Sequence, residues 1–141
     1  MKVRRELADV LRSYGHRVIV MEDEPAGESE DLVQKFDRLL RSRVTDVVLY
    51  WPPLARMQTT FDELILLRDR AALLRRKRIA IWALHHVRVA AITKGEFKIL
   101  ETGGRSRYLT AVARLGIHPL EWETDDDLRE RVRLLAAELD A

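Results

Sequence analysis

Apolar residues recur at helical spacing over residues 3–14, where Val3, Leu7, Val10, Leu11 and Tyr14 share one face and Gly15 follows as a stop. The period then changes: His16-Arg-Val-Ile-Val-Met21 is a short β-branched run that predicts a first strand. An acidic loop over 22–28 follows, with Pro25 and Gly27 as breakers, and Ser29 stands where it can cap a helix over about 30–42. The apolar stripe of that helix is Leu32, Val33, Phe36, Leu39 and Leu40. Val44–Trp51 is apolar on both faces, as a central parallel strand requires, and Pro52-Pro53 ends it. The next helix is expected from about Thr60 to Lys77, acidic at its start and closing on Arg75-Arg-Lys77, a polarity that matches the helix dipole. Arg78–Leu84 predicts a third strand, with His85-His86 just beyond it.

The remainder of the chain predicts smaller pieces. Val87–Ile92 and Glu96–Glu101 flank Thr93-Lys-Gly95 as a hairpin. Gly103-Gly104 opens a helix over about 105–115. Gly116–Trp122 is an edge-strand candidate, because Pro119 cannot donate to a ladder. Thr124-Asp-Asp-Asp127 has the composition of a capped start for a helix to about residue 139. Strands alternating with helices over short connections predict a single α/β domain over 1–141, with a mainly parallel sheet made from 17–21, 46–51 and 78–84 and an added hairpin.

Composition narrows the function classes. A chain of 141 residues with 47% hydrophobic content suits one globular core, and no stretch approaches the roughly 18 consecutive apolar residues of a membrane span. The run Met1-Lys-Val-Arg-Arg-Glu6 enters the amphipathic pattern directly, which leads to the expectation of a cytoplasmic protein. The absence of cysteine removes thiolate metal sites, disulfides and a cysteine nucleophile. A net charge of +2 among 34% charged residues is close to balance, so charge gives no argument for nucleic acid as a partner. The run Arg68-Asp-Arg70…Arg75-Arg-Lys-Arg78 reads as a solvated face that complements the helix dipole.

Candidate chemistry gathers where the Asp46–Trp51 strand ends, since ligands of open α/β sheets bind outside the carboxyl ends of strands. Tyr50 and Trp51 close that strand, and the acidic pair Asp62-Glu63 opens the helix after it. Glu63 also satisfies a Thr60-x-x-Glu63 capping box, in which it would serve only the helix start. Trp51-Pro52-Pro53 is either a rigid aromatic wall or a plug over the core. Gly103, Gly104 and Arg105, with Arg107, either hold an anion at a helix N-terminus or form a plain turn. His85 and His86 alternate across a strand and do not readily share one metal, so no metal site is expected. No nucleophile-elbow motif is present.

Residues 6 to about 67 resemble a TIR-like domain or the related nucleoside deoxyribosyltransferase-like fold. The matching pieces are Leu7…Leu11-Arg-Ser-Tyr-Gly15-His-Arg-Val-Ile-Val, the loop with Pro25 and Gly27, Leu32…Leu40, Ser42…Asp46-Val-Val-Leu-Tyr50 and Phe61-Asp-Glu-Leu64. The resemblance implies a flavodoxin/TIR-like three-layer sandwich. It also implies that Glu63, with Asp62 beside it, serves N-glycosidic bond cleavage while Tyr50 and Trp51 hold the base of NAD or another nucleotide. The family's first strand would precede residue 1 and has no counterpart beyond Met1–Arg4. That gap favours a nucleotide-binding or self-association module over an enzyme, and the uncovered strand edges lead to the expectation of a homodimer.

Overall fold

The structure is a computed structural model that describes residues 2–21, 23–53, 57–88, 90–93, 96–99 and 114–139. In chain order its elements are helices α1 (Lys2–Ser13) and α2 (Leu32–Arg41), strand β1 (Asp46–Trp51), helices α3 (Met57–Arg68) and α4 (Ala71–Lys77), strands β2 (Ala80–His86), β3 (Ala90–Thr93), β4 (Glu96–Ile99) and β5 (Ile117–Trp122), and helix α5 (Asp125–Leu139). The fold is α/β with a parallel sheet. The chain divides into two compact units, Met1–Val44 with Asp125–Ala141, and Thr45–Thr124.

The first unit is helical. On α5, Leu128, Val132, Leu135 and Ala136 recur at helical spacing and are buried, and α5 packs on α1, whose Ala8 and Leu11 are also buried. Burying each of these leucine and valine side chains stabilises by roughly 1.5–3 kcal/mol. Asp125, Asp126 and Asp127 place negative charge at the positive end of the α5 dipole. The α1 stop is as expected: Gly15 has φ +91°, and the Gly15 and His16 N–H groups donate to the Arg12 and Leu11 carbonyls.

Two expectations for this unit fail. Residues 16–20 form no strand, because other groups serve this segment: Arg12 donates to the Val18 carbonyl at 3.0 Å, Asp23 and Glu24 turn back onto the Val20 carbonyl, and the His16 ring meets the Ala136 carbonyl at 2.9 Å. The cap of α2 is Asp31, not Ser29. Asp31 accepts from the Gln34 N–H at 2.7 Å while the Gln34 side chain accepts from the Asp31 N–H at 2.9 Å, a reciprocal capping box. Ser29 has φ +61°, outside the extended region an N-cap adopts.

The acidic loop is tied to α2 through Arg38. Its guanidinium takes both Glu30 oxygens at 3.0 and 3.1 Å and the Pro25 carbonyl at 2.9 Å. The Arg38 hydrogen bonds, and then the Gly27 N–H, hold the Glu30 carboxyl below its ordinary value, and the same contact raises Arg38.

In the second unit the sheet order is β1-β2-β5, all parallel, with Val47, Val48 and Leu49 beside Ile81, Trp82 and Ala83, and these beside Ile117, His118 and Pro119. The central strand is β2, and β1, read from its sequence as central, stands at the edge of the described sheet with β5 opposite. Ile81, Ala83 and Leu84 form the buried centre. Trp82 stacks on His118 at 4.6 Å and donates its indole N–H to Asp46 at 3.1 Å. The hairpin is present and antiparallel, running from Ala90 opposite Ile99 to Thr93 opposite Glu96.

The helix expected over 60–77 is two helices. It starts at Met57, so Thr60 lies inside α3 and is not a cap. It stops at Arg68, where the Arg70 guanidinium takes the Leu66 carbonyl at 2.8 Å in place of an intrahelical N–H. Arg78 then adopts the left-handed conformation at φ +55° and closes α4, so β2 begins at Ala80, two residues later than its sequence suggests. That delay carries His85 and His86 into the strand.

Candidate ligand-binding site

All three parallel strands point their carboxyl ends to one edge of the sheet, at Trp51, His86 and Trp122. Strand order runs in one direction without reversing, so no switch point opens a crevice between neighbouring described strands. What this edge presents therefore depends on the side chains in its last rows and on the residues just past them.

Alternation divides those rows between two faces. On one face the register sets Trp51, His85 and Glu121 side by side. His85 is fully buried there, and Trp51 is 2% exposed and donates its indole N–H to a Glu63 carboxylate oxygen. On the other face His86 sits beside Trp122, its ring edge-on at 4.6 Å, and Tyr50 stacks parallel to Trp122 at 6.0 Å. The Trp122 indole nitrogen is buried and makes no hydrogen bond with a described residue.

His86 acts as a staple. Its Nδ1 accepts from the Arg88 backbone N–H at 2.9 Å, and its Nε2 meets the Glu123 carbonyl at 2.9 Å. A nitrogen that accepts carries no proton, so this pairing fixes the neutral tautomer with the hydrogen on Nε2. Val87 extends the ladder by donating to the Trp122 carbonyl at 3.0 Å. Together these bonds join the segment after β2 to the segment after β5.

Beside the staple lies an open cleft of about 360 Å³, lined by Pro53, His86, Val87, Arg88 and Glu123. Arg88 forms no ion pair with any described residue, whereas a guanidinium carries five donors in a rigid fork that suits phosphate or carboxylate. The lining is small, mixed in charge and partly apolar, which fits a polar small molecule better than a lipid tail. Among the described residues no group of three or more His, Asp or Glu is placed to hold a metal ion.

The residues singled out from sequence fall in different places. Tyr50 joins the Trp122 cluster. Trp51 belongs to the core and holds Glu63, which sits in the second turn of α3; neither lines the cleft. Asp62 is exposed on α3. Gly103, Gly104 and Arg105 lie outside the described residues, as does the helix expected after them up to residue 113. Arg88, Glu123 and Trp122 were not anticipated, although each stands at or just past the end of a strand.

No family model, no curated protein and no solved structure matches this chain. No helix among the described residues is long and apolar enough to cross a membrane.

Proposed function

We propose that this chain is a nucleotide- or nucleoside-binding α/β module whose ligand occupies the cleft at the carboxyl edge of the parallel sheet. The cleft beside Pro53, His86, Val87, Arg88 and Glu123 carries this reading, because a guanidinium that forms no ion pair with any described residue lies beside apolar surface at the carboxyl edge of the parallel sheet. The TIR-like pattern of residues 6–67 supports the nucleotide class. Binding is favoured over N-glycosidic cleavage because the Glu63 carboxylate accepts the Trp51 indole and does not line the cleft.

The test is a thermal-shift screen against NAD, nucleosides, nucleotides and deoxynucleosides, with Glu63→Gln in parallel. A ligand at about 100 times its Kd adds roughly 2.7 kcal/mol to the folded state, a shift of several degrees. No shift with any of these compounds at millimolar concentration sinks the proposal. Product formed by the wild type and lost in Glu63→Gln would replace it with the enzymatic reading.

One observation favours a second reading. Both outer edges of the described sheet, on β1 and on β5, lack a strand partner among the described residues, and uncovered edges invite pairing with another chain. Self-association as a homodimer is the expected result, and a monomeric mass by light scattering at micromolar concentration rules it out.

A further inference from the structure

We infer that the amino edge of the parallel sheet, the edge away from the cleft, binds single-stranded nucleic acid. Arg75, Arg76, Arg78 and Arg114 take backbone phosphates there, and the stacked pair of Trp82 and His118 takes a base. This goes beyond the nucleotide-binding reading above, which concerns the other edge of the sheet.

A parallel sheet gathers the residues that precede its strands at one edge, as it gathers those that follow them at the other. Ile81 and Ile117 lie side by side in the register of β2 and β5, and each has an arginine three positions before it, Arg78 and Arg114. Both segments turn into their strands through a residue of positive φ, Arg78 at +55° and Gly116 at +72°. Arg75 and Arg76 stand in the last turn of α4, the helix that leads into β2. Arginines from separate stretches of the chain thus meet at one edge.

All four are exposed, and none forms an ion pair with any described residue. Among the described residues flanking the three strand starts, only Asp46 is acidic, and its two oxygens already take the Thr45 hydroxyl at 2.8 Å and the Trp82 indole N–H at 3.1 Å. The near-neutral total of +2 therefore averages over a basic edge at the strand starts and acidic residues such as Glu121 and Glu123 at the strand ends. A guanidinium fork takes phosphate oxygens two at a time, so several forks along one edge suit a polymer that presents phosphates in series.

The second component is aromatic. Trp82 lies two residues inside the start of β2, about 7 Å from that edge at the usual strand rise, and His118 is its register partner on β5. The two rings stack with centroids 4.6 Å apart and planes 30° apart, and the bond to Asp46 fixes the indole. His118 is exposed, so the stack offers aromatic surface to solvent beside the arginines. Unpaired bases stack on such platforms whatever their identity, and a basic track beside one is the arrangement that holds a single strand. A duplex keeps its bases stacked on each other, and an anionic lipid surface has no ring to place there.

The experiment is fluorescence anisotropy of labelled single strands of about 12 nucleotides, RNA and DNA titrated separately, with the intact chain at several salt concentrations. Duplex of the same length, heparin and phosphatidylserine vesicles are the comparison probes. At least one kind of single strand should bind tighter than duplex, and the logarithm of its affinity should fall against the logarithm of salt with a slope of about −3. Combining Arg78→Gln with Arg114→Gln should reduce that slope by about 1.4 in magnitude. His118→Ala should weaken strand binding about fivefold or more, leave the slope unchanged and leave heparin binding as it was. The substituted side chains are exposed, and unchanged melting temperatures confirm that the variants fold. No binding of either strand at low salt overturns the proposal, as does equal affinity for duplex, or binding to vesicles without binding to strands. Binding lost in Arg88→Gln and kept in the double arginine variant overturns it as well, by moving the strand to the cleft.

Discussion

Replacing His86 by Phe tests whether the imidazole staple organises the carboxyl edge of the sheet. The substitution keeps a ring of similar size against Trp122, whose edge-on contact at 4.6 Å depends on shape rather than on the nitrogens. What it removes is the pair of hydrogen bonds at 2.9 Å to Arg88 and Glu123. Each such bond contributes about 1 kcal/mol net, so His86→Phe should cost about 2 kcal/mol. His86→Ala should cost about 3 kcal/mol or more, because a largely buried ring and its contact with Trp122 are lost as well. All three tryptophans of the chain, Trp51, Trp82 and Trp122, lie in the unit that contains the sheet, so their fluorescence during urea unfolding reports on the affected part. With a slope of about 2 kcal/mol per M, the Phe variant should lower the midpoint by roughly 1 M without changing the slope. A Phe variant within about 0.5 kcal/mol of wild type refutes the staple.

Other expectations follow from the same contacts. Leu135 is 1% exposed and Leu134 is 48% exposed on the same helix, so Leu135→Ala should cost about 2–5 kcal/mol and Leu134→Ala under about 0.5, read by circular dichroism during unfolding. If the chain unfolds as one domain, tryptophan fluorescence and far-ultraviolet dichroism will give coincident transitions; separate midpoints would mean that its two compact units melt independently. Glu30 is held below its ordinary value of 4.5 by Arg38, so its stabilisation is present above that value and lost as pH falls through the lowered one. The melting-temperature gap between wild type and Glu30→Gln should therefore be widest near neutrality, close below pH 4.5, and narrow with added salt.

Much of the fold was legible because its signals are local. Pro52-Pro53 cannot continue a ladder, Gly15 accepts a positive φ, and three aspartates in a row suit a helix start; each of these boundaries stands within one or two residues. The failures share a pattern: a side chain or turn a few residues away, or an unexpected conformation, satisfies the backbone. A β-branched run favours extended chain but cannot supply a neighbour, and Arg12 and the following turn take the carbonyls of residues 18 and 20 instead. The break between α3 and α4 contains neither Gly nor Pro, since Arg70 caps the carbonyl that its own position uncovers. Arg78 adopts a left-handed conformation that sequence reasoning reserves for Gly or Asn, and this choice delays β2 by two residues.

That delay explains why the location of the site was legible and its members were not. With β2 ending at Leu84, the two histidines would occupy a turn. With β2 ending at His86, alternation sends His85 into the core beside Trp51 and gives His86 the row shared with Trp122. The cleft then follows from topology alone. In a parallel sheet every strand delivers its next one or two residues to the same edge. Here those residues are Pro53 after β1, Val87 and Arg88 after β2, and Glu123 after β5, which with His86 make up the described lining. Helix starts near one strand drew attention to Asp62 and Glu63, but the residues that share a surface are those in equivalent positions after different strands. Trp122-Glu123 and His86-Val87-Arg88 lie some 37 positions apart in the chain and are joined by one imidazole. No periodicity connects them; only the parallel register does, and it depends on which residue ends each strand.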